Sequence, residues 1–409
     1  MCAAWNQEYD PALIAKKLQA IRVFDDSGNH GGFQGPYEDC VSVIHSSLQF
    51  SNGIPQTERR RIIGLSIRAV AVAGAISAKA LLREISKQEN SYLRQPVTNF
   101  ILVTSLSIHH DSTLNNALVN DAAIRFTPRL PRRFDQGPIM QLASSYVFGP
   151  LPKNYCAVRV SVSGRSQHEA VEKAFNAIDL LRGIWNLGLN RSRGLSYRSG
   201  NRRPINLILP GPFHTLHKPN GKLATTEDLW YEPEYVGPIE LFRMRNGISQ
   251  LRSFDRSLRR QLASIQYQSR IENAIKRYCR ALDSRDFQKA FLDLWSIMET
   301  LTDSFTGKYD VTIRRTVSLF SEGDFHKQVL KHLRQFRNRA VHAGEGTEEI
   351  ETLLFQLRRY VQELIMFHAT NDLRFKSFEE ACEFLDLPSD SKVLQQKSRL
   401  IRKALKFRS

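Results

Sequence analysis

The sequence predicts a mixed unit of strands and helices over residues 1–247, an all-α bundle over residues 248–388 and a basic helical tail over residues 389–409. We expect the mixed unit to be α+β or α/β, because runs rich in β-branched residues alternate in it with helical patterns. After residue 247 every segment has helical periodicity, and no strand-like run occurs. A chain of 409 residues is also long for one domain, so two folded units are expected.

The clearest strand of the mixed unit is CAVRVSVSG, residues 156–164. Val158, Val160 and Val162 alternate there with polar or small residues, as in a strand with one buried face. Residues 38–50 fit either a helix or a strand. The other predicted strands are 99–108 and 204–211, the predicted helices are 11–21, 57–88 and 168–188, and residues 129–138 are predicted to form a basic loop.

Caps and stops mark the helices of the second part. Gly344 and Gly346 follow one helical run, at the kind of position where glycine ends a helix. Ser377 and Glu380 have the spacing of a capping box, which predicts a short helix after them. The remaining predicted helices are 249–284, as one helix or two in line, 286–303, 311–320, 325–344 and 347–370.

The charge of the chain favours an anionic partner. There are 58 Lys and Arg against 41 Asp and Glu, a formal charge of +17. Such an excess is typical of proteins that bind nucleic acid or an anionic membrane surface, although solubility alone is an alternative reason for it. The most apolar stretch, residues 69–82, contains Lys79 and is rich in Ala, so we expect a buried helix and no membrane partner.

The cysteines and short motifs exclude several classes of protein. The five cysteines lie far apart, without a CxxC pair or Cys/His spacing typical of zinc, so we expect free thiols in a reducing, cytoplasmic setting. The N-terminal residues show no apolar segment of signal-peptide length. No P-loop or GxSxG motif occurs, and the HxxH pair His214 and His217 is a weak metal signal. Neither a metal nor another cofactor is expected.

The stretch FRNRAVHAGEG, residues 336–346, carries the most specific candidate site. Helical spacing places Arg337 near the centre of the apolar stripe, and a buried guanidinium needs a partner or a chemical task. Asn338 and His342 are four residues apart, so they share a flank of the helix. No other Arg in the chain is followed by His after four to six intervening residues.

Together with FLDLWSIMETLTD, residues 291–303, this motif resembles the HEPN superfamily of helical ribonucleases. That superfamily is marked by R-x(4–6)-H with a polar residue after the Arg, preceded by a helix with an acidic residue. The resemblance is strongest to the ApeA-like HEPN group of prokaryotic defence proteins and covers roughly residues 260–385. It implies a four- to five-helix bundle for this part. Residues 1–245 resemble no family we can name.

The resemblance implies a metal-independent endoribonuclease. In that chemistry the ribose 2′-OH attacks the adjacent phosphate and leaves a 2′,3′-cyclic phosphate. His342 would move the proton, because its ordinary pKa lies near neutrality. Arg337 would hold phosphate oxygens and stabilise the added negative charge, and Asn338 would position the phosphate or the imidazole. HEPN sites are completed by a dimer, so a homodimer through the bundle is expected.

Glu299 and Asp303 are the sequence candidates for partners of Arg337. They lie four residues apart on the preceding helix, at the edge of its apolar stripe. One reading is an ion pair that joins two helices, and the other is a catalytic or orienting role for Glu299. A solvated face is the third alternative.

Basic stretches indicate where RNA would be held. LNRSRGLSYRSGNRR, residues 189–203, has five Arg, one interleaved aromatic and no acidic residue. Residues 129–134 and the tail, which carries seven Lys or Arg and no acidic residue from 391 onwards, are further basic stretches. A solvated surface is the alternative for each. The candidate RNA-binding residues are Arg191, Arg193, Tyr197, Arg198, Arg202, Arg203 and Arg339.

Two main functions are therefore open at the level of sequence. The first is an endoribonuclease of antiviral defence or toxin type that cuts tRNA or another RNA, with a phage-derived or other trigger recognised by the N-terminal part. The second is a non-catalytic RNA-binding or regulatory HEPN protein. A DNA-binding adaptor that uses the basic tail is a third reading.

Overall fold

The computed structural model describes residues 3–28, 30–110, 114–134, 136–137, 152, 154–191, 194, 203–233, 235, 241–243, 248–304, 309–343 and 349–408. Of residues 248, 249, 309 and 341–343 it describes the backbone alone. Within these ranges the chain forms thirteen helices and ten strands. No helix in this part of the chain is long and apolar enough to cross a membrane.

Residues 3–93 surround a hydrophobic cluster of their own. The predicted helix over 57–88 is two helices, because the chain turns at Gly74, whose φ of +112° strains any residue with a side chain. Ser77 then caps the second helix by accepting a hydrogen bond from the Ala80 amide. The elements here are β1 (Ala4–Trp5), α1 (Pro11–Ala20), β2 (Arg22–Phe24), β3 (His30–Phe33), α2 (Tyr37–Ser47), β4 (Leu48–Gln49), α3 (Gln56–Val72) and α4 (Ala78–Leu93).

A six-stranded sheet follows, and every strand pair in it is antiparallel. Its strands are β5 (Thr98–Leu106), β6 (Ala117–Val119), β7 (Ala122–Thr127), β8 (Cys156–Gly164), β9 (Phe213–His217) and β10 (Trp230–Tyr231), in the order β10-β9-β5-β8-β7-β6. β5 and β8 pair over nine residues at its centre. β8 alternates buried with less buried residues, as its sequence predicts.

One long helix, α5 (Gln167–Asn190), connects the sheet to the helical part. It lies on β8 and also packs against the first helices after residue 247, so most of its length is buried. The later helices are α6 (Ile248–Ala263), α7 (Gln268–Asp283), α8 (Phe287–Leu301), α9 (Tyr309–Val317), α10 (Gly323–Ala343), α11 (Ile350–Thr370), α12 (Phe378–Leu385) and α13 (Ser391–Arg408).

The mixed α and β content is confirmed, and the antiparallel sheet makes the first part α+β rather than α/β. All regular structure described after residue 247 is helical. The larger hydrophobic cluster is one connected core whose members range from Leu102 to Leu385. The smaller cluster, with the residues packed against it, ends at Leu93. The buried cores thus divide near residue 95, and the domain boundary at 247 stays a prediction.

The predicted strand over residues 204–211 is wrong. Only Pro210 pairs with the sheet, through an isolated antiparallel bridge to Leu106. The amides of Leu207 and Ile208 donate instead to Asn186 Oδ1, both at 3.1 Å. The side chain of Arg182 donates in turn to the Ile208 carbonyl at 3.1 Å. Buried backbone groups need partners, and for Leu207 and Ile208 side chains of α5 supply them.

Candidate functional site

The helix α10 carries the predicted catalytic motif at its C-terminal end. Phe336 is buried and meets the ring of Phe291 on α8 edge to face, with ring centroids 4.8 Å apart. Arg337 and Asn338 are half-buried, and Arg339 is exposed. Arg337 is thus only partly buried, although helical spacing places it within the apolar stripe. A long side chain can bury its aliphatic part while its charged end reaches solvent.

His342 lies in the last turn of α10 by its backbone, and its side chain is outside the described residues. Four residues separate it from Asn338, so the two positions share a helix face. The catalytic roles predicted for Arg337, Asn338 and His342 stay predictions.

The acidic candidates on the neighbouring helix have other described contacts. Glu299 Oε1 accepts a hydrogen bond from the indole N–H of Trp295 at 2.8 Å. Asp303 forms an ion pair with Arg270 at 2.9 Å, where the Arg270 guanidinium also stacks on Phe378. A fixed Glu299 is compatible with either an orienting role or an ion pair, so both readings of that residue stay open.

Four of the candidate RNA-binding residues lie outside the described residues: Arg193, Tyr197, Arg198 and Arg202. Arg203 is exposed, and Arg191 lies 3.9 Å from Glu363 in a solvent-exposed pair.

Sequence reasoning missed a buried ion-pair network between α5 and α7. Arg182, fully buried, donates to Asp179 at 2.7 Å and to both carboxylate oxygens of Asp283, at 3.2 and 2.9 Å. Arg280 donates from Nε to Asp179 at 2.6 Å and from Nη1 to Glu232 at 2.8 Å. The signal that could have found it is Asp179 and Arg182, a charged pair three residues apart inside the apolar run AIDLLRGIW.

The network reaches the sheet through His214. Its Nε2 lies 3.3 Å from Glu232, and its Nδ1 lies 2.7 Å from the hydroxyl of Thr104 on β5. Burial opposes the charge of Glu232, yet His214 and Arg280 hold the pKa of that carboxyl well below its usual range.

The network carries no excess of positive charge. Burial also disfavours the charge of Arg182, but Asp283 beside it raises the pKa of the guanidinium well above its usual value. Two guanidinium groups face three carboxylates, so no surplus positive charge remains for an anion. A cleft of about 230 Å³ opens beside Arg280 and Asp283, with Pro204 and Tyr235 in its wall. We interpret the network as the element that joins the sheet to the helices.

His214 and His217 do not form the metal pair that their spacing allowed. Both belong to β9, and residues three apart in a strand point to opposite faces. Among the described residues no group of three His, Cys, Asp or Glu is placed to hold a metal ion.

The described thiols are poor nucleophiles. Burial raises the pKa of Cys156 to about 12 and that of Cys382 to about 12, and it raises the pKa of Cys279 further. A protonated, buried thiol neither attacks a substrate nor binds a metal readily.

A search of family models, curated proteins and solved structures finds no match to this chain.

Proposed function

We propose that this protein is a metal-independent endoribonuclease of the HEPN type, with Arg337, Asn338 and His342 as its catalytic residues. The observation that carries the proposal is the half-buried pair Arg337 and Asn338 at the edge of a packed helix face, one turn before His342. A polar pair held at such a border is positioned by the core and still reaches a substrate. The resemblance of residues 260–385 to HEPN domains agrees with this reading.

The chemistry follows from the residue types. A guanidinium binds two phosphate oxygens at once and offsets the charge of a pentacoordinate phosphorus. An imidazole exchanges protons near neutral pH with the 2′-OH or with the departing 5′-oxygen. Asn338 supplies a neutral donor and acceptor that orients the phosphate or the imidazole. Glu299, whose carboxylate accepts a hydrogen bond from Trp295, orients the guanidinium of Arg337.

A second chain is part of the proposed site. Arg337 and His342 are five residues apart, which is about 140° around a helix. One helix therefore cannot readily direct both side chains at one phosphate, whereas two copies of α10 can. We propose a homodimer through the helical part, with RNA, including tRNA, as the substrate in prokaryotic antiviral or toxin-type defence. A phage-derived or other trigger would act on residues 1–247.

The test is cleavage of RNA with mapping of the new ends. His342→Ala and Arg337→Ala should each abolish cleavage, while wild type should leave 2′,3′-cyclic phosphate ends in the presence of EDTA. His332→Ala is the matched control, because His332 is exposed on the same helix. Its cleavage should equal that of wild type.

Two results would contradict the proposal. If wild type cuts no RNA under any condition, with or without phage extract as trigger, the non-catalytic RNA-binding reading replaces it. If EDTA abolishes cleavage, the metal-independent mechanism is wrong. Unchanged thermal stability of Arg337→Ala and His342→Ala is needed in either case to separate chemistry from folding.

A further inference from the structure

Two arginines face each other directly across the sheet. Arg125 on β7 and Arg159 on β8 are register partners, so their side chains leave the same face. Directly opposed residues on neighbouring strands have Cβ atoms about 5 Å apart, and like charges at that separation destabilise a sheet. Without a counter-charge beside it, such a pair therefore lowers the free energy of unfolding.

A third arginine joins them through an aromatic ring. The guanidinium groups of Arg133 and Arg159 lie 5.0 and 5.6 Å from the ring centroid of Phe134. Phe134 itself is buried, so the ring orients the two cations and offers little apolar surface. Burial, together with the positive charges of Arg125 and Arg133, lowers the pKa of Arg159. Its Nε is buried and makes no hydrogen bond to any described residue.

A chain of hydrogen bonds fixes the loop that carries Arg133. Gln136 donates to the hydroxyl of Thr215 at 2.8 Å, and that hydroxyl lies 2.8 Å from His217 Nε2. His217 Nδ1 lies 2.8 Å from the Gly221 carbonyl, which makes Nδ1 the donor and Nε2 the acceptor. Loop, strand β9 and the turn at Gly221 are thus joined through buried polar groups.

The turn adds two more cations. Gly221 has a φ of +95°, and a Cβ there would lie 2.5 Å from the Arg133 carbonyl oxygen. Only glycine lets the turn approach the loop this closely. Lys218 and Lys222, on either side of the turn, are both exposed.

The three chain segments that meet here, 122–134, 156–168 and 203–226, contain no acidic residue, and acidic residues directly border them: Asp121, Asp135, Glu169 and Glu227. Within the described ranges, Arg125, Arg133 and Arg159 make no ion pair. No described carboxylate neutralises these cations, in contrast to Arg182 and Arg280. They form one positively charged face on the side of the sheet opposite α5.

We propose that this basic face, defined by Arg125, Arg133, Arg159, Lys218 and Lys222, binds the phosphate backbone of RNA. Phe134 positions the guanidinium groups of Arg133 and Arg159, and guanidinium groups match phosphate oxygens. The exposed cations Arg125, Lys218 and Lys222 add positive charge around them. An anionic lipid surface is the less favoured partner, because interfacial binding needs exposed apolar side chains and Phe134 is covered. The inference rests on the proposed function for the choice of RNA, and it locates where that RNA is held.

The experiment measures RNA binding directly, in the full chain with His342→Ala so that no cleavage intervenes. Fluorescence anisotropy of a labelled single-stranded RNA is followed over a range of salt concentrations. Arg125→Gln and Arg133→Gln should each weaken binding, and each should reduce the slope of log Kd against log salt by about 0.7, the value for one lost phosphate contact on a single strand. The double variant should lose about 1.4.

The matched control is Lys79→Gln with Arg83→Gln, two exposed cations one turn apart on α4. It removes the same charge as the double variant and should leave the slope unchanged. An equal loss in the control, or an unchanged slope in Arg125→Gln with Arg133→Gln, overturns the proposal. If Arg125→Gln with Arg133→Gln still binds RNA but no longer binds phosphatidylglycerol vesicles, the basic face binds lipid and the proposal is wrong.

A charge reversal adds a readout that a structural cluster would not give. Arg125→Glu creates an opposite-charge pair with Arg159, so the melting temperature should rise while RNA affinity falls. A lower melting temperature with unchanged affinity would contradict the binding role. Binding and cleavage are measured separately. A wild type that never cuts RNA contradicts only the catalytic proposal. Unaltered RNA binding in the variants of Arg125 and Arg133 contradicts only the proposed binding face.

Discussion

Arg182 and Asp283 form a two-point ion pair in the interior, with both carboxylate oxygens accepting from one guanidinium, at 3.2 and 2.9 Å. Arg182 lies in the middle of α5, and Asp283 is the last residue of α7. Asn206 also donates to Asp283, at 2.7 Å. The pair therefore holds together three chain segments that are far apart in sequence.

Asp283→Asn should destabilise the protein strongly. The change removes the two-point ion pair and leaves Asp179 as the carboxylate partner of Arg182, so we expect a loss of about 2–3 kcal/mol in the free energy of unfolding. Glu363→Gln is the control, since its pair with Arg191 is exposed and worth less than about 1 kcal/mol. Denaturant unfolding measures both. If Asp283→Asn lowers the free energy of unfolding as little as Glu363→Gln does, the buried network is not what joins α5 to α7.

His368 should make stability depend on pH. Burial lowers the pKa of His368 to about 4, although its hydrogen bond to the Leu301 carbonyl, at 2.9 Å, opposes that shift. The unfolded residue binds its proton near pH 6.5, so the unfolded state holds more protons between the two values. The free energy of unfolding should therefore fall as the pH drops from about 6.5 to about 4, by up to about 3 kcal/mol.

The measurement is denaturant unfolding at pH 7.5 and pH 5.0. His368→Gln removes the titrating group, so its stability should change much less between the two conditions than that of wild type. His332→Gln, on the exposed face of α10, should behave as wild type. A wild-type pH dependence that survives in His368→Gln would assign the effect to other groups.

Gly183→Ala tests the contact between α5 and α7. A Cβ at this position would lie 2.7 Å from Ile275 Cγ2 and 3.0 Å from the Ile275 carbonyl oxygen, which is too close for either. We expect a loss of about 1–3 kcal/mol in the free energy of unfolding. Gly64→Ala, in a helix with open space around it, should instead gain about 0.5–1 kcal/mol. A neutral Gly183→Ala would mean that the two helices can move apart.

The elements with strong local signals were predictable from the sequence. β8 was placed to the residue because its valines alternate with polar or small positions, and the capping box at Ser377 gave the start of α12. The helices after residue 247 follow from their 3.6-residue periodicity. In each case the residues that decide the structure are close neighbours in the chain.

The failures arose where distant residues decide the structure. The pattern of residues 204–211 predicts a strand, but side chains of α5 take the backbone hydrogen bonds of Leu207 and Ile208, and only Pro210 pairs with the sheet. Strand β9 was missed because its five residues are all buried between neighbours and show no alternation. Helical spacing places Arg337 within the apolar stripe, but it does not show how deeply the side chain is buried, and Arg337 is half-buried. The roles of Arg337, Asn338 and His342 depend on a second chain and on RNA, so they stay predictions.

The sheet has a further consequence for how copies of this protein can associate. Its outermost strands are very short: β6 has three residues and β10 has two. Such edges expose few unpaired amides and carbonyls, so another strand gains little by adding to them. In the part of the chain that the structure describes, these short edges therefore disfavour growth of the sheet by addition of strands from other copies.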